Sequence, residues 1–197
     1  MELLFSPAAS SSDIEHFKSI PWCARHLAAP DLIVGRPLNR KLGSGQAPAD
    51  GLFGATLNTP DTIPSIVLVY PDPDATPAEP QPSIPEVKML VTLGPLVSGF
   101  GGVCHGGIVM TLLDEALSLL VQVNWKRGAI KGNTQLMTAY LNTMFSKPVT
   151  VPGTFLVMAR LDKVEGRKAF GSVWIEDEHG VTLTKAEGLF VMVREKL

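Results

Sequence analysis

From residue 108 to residue 123 the chain is apolar on nearly every side of a helix, with Asp114, Glu115 and Gln122 as its main polar interruptions. A helix without a broad polar face has to be buried by its neighbours. Four long strand-like runs follow at 133–145, 153–161, 167–175 and 181–193, separated by Ser146-Lys147-Pro148, Glu165-Gly166 and Glu178-His179-Gly180. Turn chemistry at those separators predicts hairpin-like steps, and successive hairpins make an antiparallel meander. One long buried helix joined to such a meander is an α+β pattern.

Upstream of the helix the pattern is less regular. Residues 52–58, 65–70 and 87–93 read as strands, and 94–104 as the approach to the helix. Near the N-terminus, Ser12 or Asp13 is placed to cap a short helix to about Lys18, with Ile14 and Phe17 on one face. A second short helix is expected after Pro21, to residue 28, and both are read as packing elements. Residues 31–50 read as an irregular connection rich in Gly, Pro and basic residues. Its charge cluster, Arg36, Arg40 and Lys41, is expected to be solvated, with phosphate contact as the sharper alternative. Prolines at 71, 73, 77, 80, 82 and 85 force an extended surface excursion. The expected organisation is an N-terminal extension over 1–50 and a main domain over 51–197, with a Pro-rich loop at 71–86.

Composition narrows the classes. A length of 197 residues with 45% hydrophobic content suits one domain with a sizeable core plus extensions. The formal net charge of −2 supplies no basic excess, so nucleic acid is not the expected partner. Cys23 and Cys104 fit neither a disulfide framework nor a metal site. Charged residues break the apolar run before it reaches the ~20 residues of a bilayer span, so no membrane span is expected. The first residues lack the basic start of a signal peptide and the arginines of a transit peptide, which makes the cytoplasm the expected location, with the mitochondrion as the alternative.

The chemistry concentrates where Gly101-Gly102-Val103-Cys104-His105-Gly106-Gly107 enters the apolar helix. Glycines admit a ligand close to the backbone, and the first helical turn offers N–H groups free to hold an oxyanion. Asp114 stands nine residues beyond His105, about 2.5 turns into the helix, where a carboxylate is costly unless paired. Adjacent Glu115 points about 100° away, so one of the two acids can face solvent or a subunit boundary. Cys104 beside His105 invites a Cys–His nucleophile, but adjacent side chains seldom converge on one atom, and a small core residue is the better reading. His16, His26 and His179 have no comparable setting.

His105-Gly106-Gly107 followed by Asp114 resembles the signature of hot-dog-fold thioesterases of the phenylacetate-pathway and 4-hydroxybenzoyl-CoA type. Met137-Thr138-Ala139-Tyr140-Leu141-Asn142 and Leu161-Asp162-Lys163-Val164-Glu165-Gly166-Arg167-Lys168 are similar to segments of the carboxyl-terminal-modulator type of acyl-CoA thioesterase. The resemblance covers roughly residues 99–193. It implies a curved antiparallel sheet wrapped around the central helix, and homodimers or dimers of dimers with sites at the dimer interface. It also implies cofactor-free hydrolysis of acyl-CoA or of a carrier-protein acyl thioester. Carried onto this sequence, Gly106 is the oxyanion donor with Gly107 beside it, and Asp114 is the base or nucleophile from the facing subunit. His105 orients the thioester, Thr138 places the water, and Ser98, Cys104 and Tyr140 are substrate-side residues. Many bacterial relatives carry Asn or Gln before the turn, where this chain has Ser98-Gly99-Phe100-Gly101. A hot-dog dehydratase or hydratase and a non-catalytic acyl-binding module are the alternative functions.

Overall fold

The protein is seen in a computed structural model that describes residues 11–40, 51–73, 75, 83–131 and 136–193. Lys41, most of the Pro-rich loop and the start of the run expected at 133 lie outside the described residues.

The apolar run forms α3, Gly106–Lys126, two residues longer at the start and three at the end than its hydrophobic stretch suggests. His105 is its N-cap. Gly128, at φ 75°, takes the left-handed position that ends it, and its N–H bonds to Trp125 O at 2.9 Å. Asn124 is wholly buried in the last turn yet fully bonded. Its amide donates to Ile84 O (2.8 Å) and Leu120 O (3.0 Å), while its oxygen accepts from Ile84 N (2.8 Å). A buried polar group so satisfied pins the helix to the chain entering the sheet. By length and composition alone α3 would suit a bilayer, but over half of its most apolar window is buried inside the protein, where it serves as the core helix.

Seven strands form one antiparallel sheet in the order β1-β2-β3-β7-β8-β9-β6. They are β1 (Leu32–Gly35), β2 (Ser65–Pro71), β3 (Glu86–Leu93), β6 (Leu136–Phe145), β7 (Gly153–Glu165), β8 (Lys168–Glu176) and β9 (Thr182–Met192). A small hairpin, β4 (Ser98–Phe100) and β5 (Val103–Cys104), precedes α3. Gly166 and Gly180 hold positive φ in the β7–β8 and β8–β9 turns. The sheet wraps α3, giving the hot-dog arrangement with an N-terminal helical extension. Contact is closest where Gly171 and Gly188 pair across β8 and β9: Leu117 of α3 lies where a Cβ at either glycine would stand, at 2.4 and 2.8 Å. Leu117 is therefore a core residue, spent on helix–sheet packing.

On the other sheet face, α1 (Ser11–Lys18) and α2 (Pro21–His26) bury Phe17 and Cys23 against Val67, Val69, Leu90 and Leu156. These helices are packing elements, as their apolar anchors imply. Asp13 is buried and ion-paired with Arg36, which joins α1 to the end of β1.

Three upstream readings are corrected. Residues 52–58 are not a strand: Leu52–Thr56 forms one π-helical turn. Phe53 and Leu57, four apart, both reach the core, a helical spacing that apolar content alone does not separate from a strand. The connection at 31–50 contains β1, which pairs with β2 from Leu32–Pro71 to Gly35–Leu68. Finally, Arg36 and Arg40 are neither a solvated cluster nor a phosphate clamp. Arg36 is committed to Asp13, while the buried Arg40 guanidinium donates to Phe53 O (3.3 Å), Leu57 O (3.1 Å) and Ile63 O (2.7 Å). Those bonds tie the π turn and its C-terminal end to the chain at residue 63, and burial pushes the Arg40 pKa down to about 10.

Candidate active site

The turn into α3 is held from several sides. Cys104 N–H donates to Val149 O (2.8 Å), Val151 N–H to Gly102 O (3.0 Å) and His105 N–H to Val97 O (2.8 Å). The His105 ring caps the helix: Nδ1 accepts from Gly107 N–H at 2.9 Å. A neutral ring that accepts at Nδ1 carries its proton on Nε2, which leaves that N–H as an outward donor. The Gly107 N–H is thereby taken by the cap. Among the described residues, the Gly106 N–H has no hydrogen-bond partner, and the residue is exposed at the helix start. A Cβ there would meet the Phe145 ring at 3.6 Å. His105, Gly106 and Gly107 thus present one free backbone donor and one imidazole N–H at the positive end of a helix dipole.

Farther along, Asp114 is half-buried and accepts a hydrogen bond from Thr138 Oγ1 at 2.7 Å. Glu115 is also half-buried and accepts from Asn39 Nδ2. Both acids line an open pocket of about 460 Å³ with Thr111, Thr138, Met110, Leu141, Leu52 and Phe53. A β-bulge brings Thr138 and Leu141 together. Thr138 pairs with Phe190 and Tyr140 with Leu189, so Ala139 is the extra residue. Three residues apart, Thr138 and Leu141 would face opposite ways in an unbroken strand; the bulge puts both at the pocket. Tyr140 is exposed and is not among the residues lining this pocket.

Ser98 is exposed on β4, opposite Cys104. Cys104 is buried in the core and burial pushes its thiol up to about 11, so little of it is thiolate at neutral pH. A larger groove, about 700 Å³, lies on the outer sheet face beside Arg160, Trp174 and Lys185. There Arg160 is held by Asp162 (3.4 Å) and the Trp174 ring (5.8 Å), and the groove includes neither the turn nor Asp114.

The arrangement therefore has two ends. Gly106 and Asp114 are eight residues apart on one helix, about 12 Å at about 1.5 Å per residue. An oxyanion donor works at about 2.7–3.1 Å from its oxygen, so one carbonyl cannot meet both groups of the same chain.

Residues 101–184 match the thioesterase superfamily family model. The matched stretch runs from the β4–β5 turn to β9 and so contains the His105 turn, Asp114 and Thr138. Verlamelin biosynthesis protein B of a Lecanicillium species is 32% identical over 114 residues, 57% of this chain and 49% of that protein. Acyl-coenzyme A thioesterase THEM4 of Bos taurus is 36% identical over 99 residues, 50% of this chain and 37% of that protein. The chain thus spans less than half the length of these relatives. A solved structure of a thioesterase superfamily protein aligns over 94% of this chain and 81% of its own, with 25% identity and a TM-score of 0.51. A Mycobacterium tuberculosis protein shares the fold over 57% of this chain and 87% of its own, at 15% identity and a TM-score of 0.51.

The acids and glycines of this superfamily segment were visible in the sequence. Asn39, Leu52 and Phe53 were not, because they come from outside the segment and carry no spacing that ties them to the helix. Met110 and Thr111 could have been found, since they stand four and three residues before Asp114 and so share its helix face.

Proposed function

We propose that the protein hydrolyses acyl thioesters, with coenzyme A as the thiol carrier. The observation that carries this reading is the Thr138–Asp114 hydrogen bond inside an acyl-sized pocket, on the same helix whose N-terminus offers the Gly106 N–H. The superfamily match and the likeness to an acyl-coenzyme A thioesterase support it.

In this reading the site is completed by a second copy of the chain, since the donor and the acid of one helix stand too far apart. β6 supports that pairing: it is one of the two edge strands of the sheet and exposes Met137, Tyr140, Met144 and Phe145. The thioester carbonyl accepts from Gly106 N–H of one subunit, with His105 Nε2–H beside it. Asp114 of the other subunit, oriented through Oδ1 by Thr138, takes a proton from water as the water oxygen attacks the carbonyl carbon. The tetrahedral oxyanion collapses, the C–S bond breaks, and the thiolate leaves with the proton held by Asp114, giving acid and thiol.

A thiol-release screen over short, long, aromatic and branched acyl-CoAs tests the reading. Asp114→Asn should lower turnover by about 10²–10⁴, the usual contribution of a general base, while the melting curve stays cooperative. Wild-type turnover in that variant refutes the mechanism. Water loss from 3-hydroxyacyl thioesters without thiol release would favour a dehydratase.

A further inference from the structure

The Asp114 pocket has one wall that comes from outside the superfamily segment. Leu52 and Phe53 of the π turn line it together with Met110 and Leu141, and Asn39 donates a hydrogen bond to Glu115 on α3. The placement is built, not incidental: Arg40, next to Asn39, is buried and bonds to Phe53 O, Leu57 O and Ile63 O, so the two pieces of chain are held as one unit. Phe53 is core. Leu52 is 46% exposed, a large apolar side chain left open at the pocket beside the buried Phe53.

The pocket is also mixed in character: Asp114, Glu115, Thr111 and Thr138 are polar, and Leu52, Phe53, Met110 and Leu141 are apolar. An acyl thioester needs both kinds of lining, for a polar reacting carbonyl and an apolar chain. We infer that Leu52 is the specificity-determining stop for the acyl chain, and that Asn39 and Glu115 are positioning residues whose hydrogen bond holds this wall against the catalytic helix. The inference rests on the hydrolase reading above. It assigns to Glu115 a task different from that of its neighbour: Asp114 faces the reaction, and Glu115 anchors the wall.

The test is the chain-length profile of kcat/KM over a series of saturated acyl-CoAs, for wild type, Leu52→Ala and Leu52→Trp. One methylene in an apolar pocket changes kcat/KM by about 10–200-fold. Leu52→Ala should therefore raise the long-to-short ratio by roughly tenfold or more, and Leu52→Trp should lower it by as much. Glu115→Ala should blunt the preference mainly through KM for the longer chains, and Glu115→Gln, which still accepts from Asn39, should restore it. Unchanged profiles in both Leu52 variants overturn the inference, and equal profiles for Glu115→Ala and wild type overturn the positioning role. If wild type releases no thiol from any substrate, the hydrolase reading fails instead. The wall is then read from binding of acyl-CoA thioethers of increasing length to the same variants, where an unchanged length preference again overturns it.

Discussion

Replacing Thr138 with valine removes a single donor and almost nothing else. The hydroxyl gives Asp114 Oδ1 a 2.7 Å hydrogen bond at an exposed position, and valine keeps the branched shape that suits a strand. Hydrogen bonds to charged groups contribute about 1.5–3 kcal/mol. Solvent reaches this pair, so the lower part of that range, about 1.5–2 kcal/mol, applies. At about 1.4 kcal/mol per decade, kcat/KM for the best acyl-CoA should fall roughly ten- to thirtyfold. Stability should move by less than about 0.5 kcal/mol, as for other exposed substitutions. The decisive measurement is a double-mutant cycle with Asp114→Ala, read by thiol release at saturating and limiting substrate. If Thr138 acts by orienting Asp114, its removal has no further effect once the carboxylate is gone. Two results would refute the reasoning: Thr138→Val with wild-type kcat/KM, or the same fractional loss in the Asp114→Ala background.

Two further outcomes concern the fold. Gly171→Val places a Cβ 2.7 Å from Arg160 O, a backbone atom that cannot swing aside, so overpacking should cost about 1–3 kcal/mol and lower Tm by roughly 2–12 °C in a thermal melt. The buried thiols set an alkaline limit. Burial pushes Cys23 up to about 12 and Cys104 to about 11, against about 9 when unfolded. Because the folded values lie above the unfolded one, the stability tied to these thiols is whole below about pH 9 and is lost as the pH rises from there through about 11–12. Denaturant midpoints between pH 8 and 11 should fall in wild type and fall less in a Cys23→Ala, Cys104→Ala variant. Cys104→Ala should also keep thioester hydrolysis, which separates it from the His105 turn it adjoins.

Much of the architecture is written in local patterns. A long apolar stretch with no polar face favours a buried helix, and alternating runs divided by turn residues favour hairpins, so α3 and β7 to β9 are legible in the periodicity. The His105 turn and Asp114 are legible for a similar reason: glycines next to a helix start and a carboxylate inside an apolar helix are locally unfavourable unless a site needs them. The 52–58 segment misled because Phe53 and Leu57 are buried whichever element carries them; only contact with Arg40, distant in the fold from any turn signal, decides for the π turn.

What the amino-acid order determines alone is thus the helix, the meander and the chemical identity of the acid and the turn. Tertiary structure decided which residues surround them. The bulge at Ala139, a matter of strand pairing with β9, gives the pocket Leu141 in place of Tyr140. Chain folding brings Asn39 to Glu115 across 76 positions, and the length of one rigid helix separates Gly106 from Asp114. Local sequence encodes propensity over a few residues; convergence at a site depends on contacts between elements far apart in the chain, which no local pattern specifies.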